Sequence, residues 1–174
     1  IDYNELEKIK NEIQNIKIEF DYIDGIQNTF LNGENVENEI RGENISILVS
    51  KYSSIPLVRK YLVSLQKELG KEKKIVVEGR DITTVVFPDA EIKIFMTADI
   101  ETRAKRRFEE IKTNNPETTF SDVLNNLKER DTKDSNRLDS PLRVAEGSEI
   151  IDTTHLEIDE QVKKIIDLIE NKFS

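Results

Sequence analysis

The 174-residue chain contains no cysteine, no tryptophan, one histidine and one methionine. Without cysteine there is neither a disulfide framework nor thiolate chemistry, a usage that fits a reducing compartment and makes the cytoplasm the expected location. The lone histidine, His155, excludes a multi-histidine metal centre, and its place in a Thr-Thr-His loop reads as surface. No apolar run approaches the roughly 20 residues needed to cross a bilayer, and no signal peptide is visible. The chain opens on Ile1 and its methionine is Met96, so further residues are expected upstream. Glycine is also scarce. None of the six stands in the phosphate-cradling pattern G-x-x-x-x-G-K-[ST]: Gly70 precedes Lys71, but Glu72 follows and position 65 is Leu. These residues therefore encode no backbone cradle for a triphosphate.

What is abundant is charge, at 35% of residues with a formal net charge of −9. That balance argues against duplex DNA or an anionic membrane as the main partner. The arginines are unevenly placed, however, and all except Arg41 fall between Arg59 and Arg143. An acidic protein that gathers arginine in one stretch is suited to a small polyanion, because the guanidinium fork matches phosphate bidentately.

Periodicity predicts one α/β domain carrying an inserted lobe. Leu6, Ile9 and Ile13 fall at helical spacing within residues 4–14. The following stretch alternates and breaks at Asp24-Gly25 and Asn32-Gly33, the signature of a small antiparallel meander. A short helix is expected over 43–51, and Pro56 opens a longer one that Gly70 ends. After Lys74 the pattern becomes strand 75–78, a short helix near 81–86, strand 91–96, and helices over about 99–113 and 120–136. Strand 149–153 and a closing amphipathic helix from Ile158 to Phe173 follow, the helix with Val162, Ile165, Ile166 and Ile169 facing inward. Strands alternating with helices predict a parallel sheet covered on both faces.

Four groups of residues could carry chemistry. Glu78-Gly79-Arg80-Asp81 lies where a strand should end, the edge at which parallel α/β sheets bind ligands. There Arg80 could reach a phosphate and Asp81 could accept from a base or a ribose hydroxyl; the same residues also read as a turn with a helix cap. Arg103, Arg106 and Arg107 share one helix face at i, i+3 and i+4, which reads equally as a solvated basic face. Arg130, Asp134 and Arg137, at i, i+4 and i+7, read either as an ion-paired surface helix or as a two-arginine clamp held apart by one carboxylate. Ser50 and Arg59 flank the Pro56 helix start.

Taken together, GRDITTVVFPDAEIKIF, the helix with RAKRRF, then ERDTKDSNR, SPL and IIDTT resemble bacterial cytidylate kinase, of the nucleoside monophosphate kinase family. The likeness runs from about residue 16 to the C-terminus. It implies a P-loop NTPase-like three-layer fold with a parallel sheet, a core of 1–14 and 71–174, an inserted monophosphate-binding lobe over 15–70, and a helical lid over about 107–120. It implies phosphoryl transfer from ATP, with Mg2+, to CMP or dCMP, and neither a nucleic-acid polymer nor a membrane as partner. Ser50, Arg59 and Asp81 would recognise cytosine, and Arg80 and Arg137 would hold the CMP phosphate. Asp134, helped by Arg130, would bind the pentose. Arg103, Arg106 and Arg107 would stabilise the transferring phosphoryl group. Alternatives within this reading are an acceptor preference shifted towards UMP, or a CMP-binding fragment without transfer.

The family usually has glycine where this chain has Thr83, and its P-loop lies N-terminal to the stretch matched here. The central P-loop strand is thus expected to be absent from these residues, and the 174 residues alone are expected to be inactive towards ATP. Two strand edges left unpaired would strand backbone groups at roughly 1–3 kcal/mol each. That is large beside a typical stability of about 5–15 kcal/mol, so another segment is expected to fill the central slot.

Overall fold

Residues 5–41, 45, 48–49, 52–53, 55–71, 74–113, 115–136 and 141–174 are described by the computed structural model. The chain divides into two compact units, Ile1–Lys73 and Lys74–Ser174.

The first unit begins with helix α1 (Leu6–Ile13), which buries Ile9 and Ile13 one turn apart. Strands β1 (Ile18–Ile23), β2 (Ile26–Leu31) and β3 (Glu34–Asn35) then form the expected antiparallel meander. Both turns use a two-residue loop with every φ positive: Asp24 at 53° and Gly25 at 80°, Asn32 at 52° and Gly33 at 85°. That is the turn whose twist matches paired strands, and Asp-Gly and Asn-Gly tolerate it best. Register follows directly, with Ile23 opposite Ile26 and Leu31 opposite Glu34. Helix α2 (Pro56–Leu69) starts at its proline as expected and ends at Gly70. Gly70 keeps a right-handed φ of −88°, so its conformational freedom is not what stops the helix. Helix α1 belongs to this unit, and the Tyr61 hydroxyl of α2 donates to the Ile16 carbonyl at 2.7 Å. The short helix expected over 43–51 falls largely outside the described residues.

The second unit departs further from expectation. Residues 75–78 do not form a strand; the run pairs with no ladder among the described residues, and Val76 is fully exposed. β-Branched residues favour strands because they pack against neighbours, and without neighbours the preference is not realised. The expected short helix is a π-type turn over Ile82–Val86, which buries both end residues. Strands β4 (Ile94–Thr97) and β5 (Glu149–Asp152) pair in parallel, Ile94 beside Glu149 and Thr97 beside Asp152. Among the described residues the sheet is only partly covered, since Ile151 is buried whereas its register partner Met96 and its neighbour Ile150 are exposed.

Between these strands run α3 (Ile100–Lys112) and α4 (Phe120–Ser135), packed on each other through an edge-to-face contact of Phe108 and Phe120. Each start is chemically specified. Asp99 caps α3 by accepting from the Thr102 amide, and Thr119 forms a capping box with Asp122 on α4. Ala104, with no exposed surface, is the buried apolar residue of α3, and Val123 that of α4. Helix α5 (Ile158–Phe173) forms as expected, but its apolar stripe is only partly covered among the described residues: Ile165 is half-buried, whereas Val162, Ile166 and Ile169 are exposed. Amphipathic spacing gives a helix a face that gains from burial, but what covers that face is set by distant residues.

Candidate functional site

The second unit brings its charged residues to α4. Asp134, near the end of that helix, is 2% exposed. The Arg80 Nε approaches its Oδ2 at 3.4 Å and the Arg130 Nε, one turn earlier on α4, at 3.8 Å. Its own backbone carbonyl accepts from the Leu142 amide at 2.8 Å, tying the chain after α4 back to the helix. A carboxylate so deeply buried is sustained only by compensating charge and hydrogen bonds. Both arginines stay open to solvent on their far sides, Arg130 the more so. Of the expected clamp of Arg130, Asp134 and Arg137, the structure places Arg130 beside Asp134, with Arg80 from a separate motif as the second cation; Arg137 lies outside the described residues.

Asp81 follows Arg80 at the start of the π-type turn. Its carbonyl accepts from the amides of Thr84, Val85 and Val86, with Val85 closest at 2.9 Å, and its side chain does not cap the turn. The chain reaches this point through Gly79, where a Cβ would meet Ile82 Cγ1 at 2.8 Å. Glycine is therefore required here for space, not for φ. Arg59 sits in the first turn of α2, half-buried, in the first unit; Ser50 lies outside the described residues.

The three arginines of α3 fan apart. At 3.6 residues per turn, Arg106 and Arg107 lie about 60° and 40° to either side of Arg103 around the helix. Arg103 donates from Nε to the Ala98 carbonyl at 3.0 Å and pairs through Nη2 with Asp131 of α4 at 2.8 Å. Arg106 turns to the loop after β5, donating to the Thr153 carbonyl at 2.7 Å, to the Thr153 hydroxyl at 3.2 Å and to the Leu156 carbonyl at 3.3 Å. Arg107 pairs with Glu110 on its own helix, and both are exposed. Asp131 was not foreseen. The signal was present, since it precedes Asp134 by three residues and shares its face. His155 is exposed in the loop after β5, as its sequence context suggests, and its charge contributes to holding the Asp99 and Asp152 carboxyls below their ordinary range. In each case the larger cause is a threonine hydroxyl, from Thr102 and Thr154 respectively.

The sequence profile described as cytidylate kinase matches residues 1–171. A cytidylate kinase of Flavobacterium psychrophilum is 46% identical over 167 residues, covering 95% of this chain and 74% of that protein. One from Thermosipho melanesiensis is 45% identical over 166 residues, with 95% and 75% covered, and one from Bacteroides fragilis 48% identical over 157, with 89% and 69% covered. The chain belongs to the cytidylate kinase family. Membership implies a P-loop NTPase-like α/β fold, and the parallel pair β4–β5 with its connecting helices is in keeping with that class. Within a cytidylate kinase, Arg80, Asp134 and Arg130 make a cationic surface organised around one buried anion. Among the described residues no helix is long and apolar enough to cross a membrane.

Proposed function

We propose that this chain phosphorylates CMP and dCMP from MgATP, giving CDP or dCDP and ADP, with its acceptor nucleotide held at the Arg80–Asp134–Arg130 group. The observation that supports this best is the burial of Asp134 between two arginines whose outer edges remain accessible. A buried anion draws the two guanidinium groups towards one another and leaves part of each accessible, which suits a phosphate and its pentose. Arg80 and Arg137 take the CMP phosphate, and Asp134 with Arg130 takes the pentose hydroxyls. Ser50, Arg59 and Asp81 read the cytosine. The inserted lobe spans 15–70, with residues 1–14 and 71–174 as core and a lid over about 107–120.

The reaction asks little covalent work of the protein. A CMP phosphate oxygen forms a bond to the γ-phosphorus of ATP while the bond from that phosphorus to the β-bridging oxygen breaks, leaving ADP. With a second phosphate pKa near ~6 the attacking group is already dianionic at neutral pH, so no general base is needed. Catalysis then consists of alignment and charge neutralisation, the part assigned to Arg103, Arg106 and Arg107. A closed lid keeps water from competing as acceptor. Magnesium belongs to the donor substrate, MgATP, and no residue of this chain is assigned to it. The partners are these small nucleotides, with no nucleic-acid polymer and no membrane, in the cytoplasm.

The test is a panel of CMP, dCMP, UMP and AMP with MgATP, following ADP release in the complete native protein alongside CMP binding by calorimetry. CMP and dCMP should be turned over far faster than UMP or AMP. The Asp134→Asn variant should weaken CMP binding about tenfold or more through loss of one charge-assisted contact set. UMP turned over as fast as CMP, or CMP bound with no CDP formed, would sink the assignment.

A further inference from the structure

We propose that Asp131 is a positioning residue for phosphoryl transfer, holding Arg103 by one edge so that its other edge stays available to the transferring group. The inference rests on the kinase reading above and adds to it a residue outside the expected binding set. Arg103 is anchored twice. Its Nε donates to the Ala98 carbonyl at the end of β4, and its Nη2 pairs with Asp131 on α4. These are neighbouring nitrogens of the planar fork, so together they fix the plane of the group. Nη1 has no hydrogen-bond partner among the described residues. A guanidinium held on one side and open on the other is preorganised for an anion, because little conformational freedom remains to be lost on binding.

Asp131 has a physical reason to keep its hold. Its side chain is only 27% exposed, and its Oδ1 is buried with no hydrogen-bond partner among the described residues. The ion pair through Oδ2 is therefore what compensates this carboxylate, and withdrawing Arg103 would leave a poorly hydrated charge uncompensated. Arg107 contrasts with it, since Glu110 is 64% exposed and loses little if its partner leaves. Asp131 and Asp134 stand one turn apart on α4, so one helix face would set both the acceptor-side arginines and Arg103. A shift of α4 would move the two groups together.

The experiment compares wild type, Asp131→Asn, Asp131→Ala, Arg103→Ala and the double variant Asp131→Ala/Arg103→Ala in the complete native protein. Asp131→Asn keeps the side-chain shape and carries the test if the alanine variant folds poorly. We expect kcat to fall about 10- to 100-fold in the Asp131 variants, the scale of a misplaced reacting geometry. The KM for CMP should stay within about twofold, and Asp131→Ala should add nothing once Arg103 is gone. Unchanged kcat in Asp131→Asn, or equal losses in the presence and absence of Arg103, would overturn the proposal. A wild type that forms no CDP would instead bring down the kinase reading, and the role given to Asp131 with it.

Discussion

Replacing Gly79 by alanine tests how tightly the approach to Arg80 and Asp81 is built. The added Cβ would lie 2.8 Å from Ile82 Cγ1 and 3.1 Å from Cδ1. Carbon atoms rest at about 3.5–4.0 Å, so the nearer contact overlaps by roughly 0.7 Å. Ile82 has little room to yield, because it is 8% exposed and its carbonyl accepts from the Phe87 amide at 2.7 Å. Overpacking of this kind costs about 1–3 kcal/mol. In a protein of this size each kcal/mol lowers Tm by about 2–4 °C, so a fall of roughly 2–12 °C is expected. Because Asp81 lies one residue before Ile82, CMP affinity should fall in the same variant. The assay is thermal unfolding with the midpoint read by circular dichroism, paired with CMP calorimetry. Ile82→Ala is destabilising alone, by about 2–5 kcal/mol, yet in the Gly79→Ala background it should cost less because it also removes the clash. A Gly79→Ala protein with the wild-type midpoint and CMP affinity would refute the reasoning, and so would strict additivity of the two changes.

Two further predictions concern the second unit. Arg106→Ala should destabilise by about 1–3 kcal/mol, since it strips donors from the Thr153 and Leu156 carbonyls and Thr153 is buried. Arg107→Ala should stay within about 0.5 kcal/mol, so equal denaturation midpoints for the two would contradict the placement of Arg106. At acid pH the capping carboxylate of α4 matters. The Thr119 hydroxyl and backbone amide hold Asp122 below the ordinary aspartate value of 3.8. A lowered folded value means stability that is present above 3.8 and lost as pH falls through the lower folded value. Asp122→Asn should therefore be less stable than wild type near neutrality and show a shallower acid limb in a pH series of midpoints. An unchanged slope below pH 3.8 would exclude that contribution.

Local chemistry specifies much of this molecule. Asp24-Gly25 and Asn32-Gly33 make their hairpins because few other pairs accept two successive positive φ values. Pro56, Asp99 and Thr119 start their helices because each supplies or dispenses with a hydrogen bond in the first turn. The order of the Arg and Asp motifs along the chain was sufficient for the family. Partner choice was not decided at that level. Arg103, Arg106 and Arg107 look equivalent by spacing, yet one meets α4, one meets a loop 47 residues on, and one stays on its own helix. Those partners depend on how α3 packs against α4 and β5, which no helical period encodes. The same holds for the apolar run at 75–77 and the stripe on α5. Their patterns state that burial would be favourable, but burial needs a second surface, and only tertiary structure decides whether and where one is met.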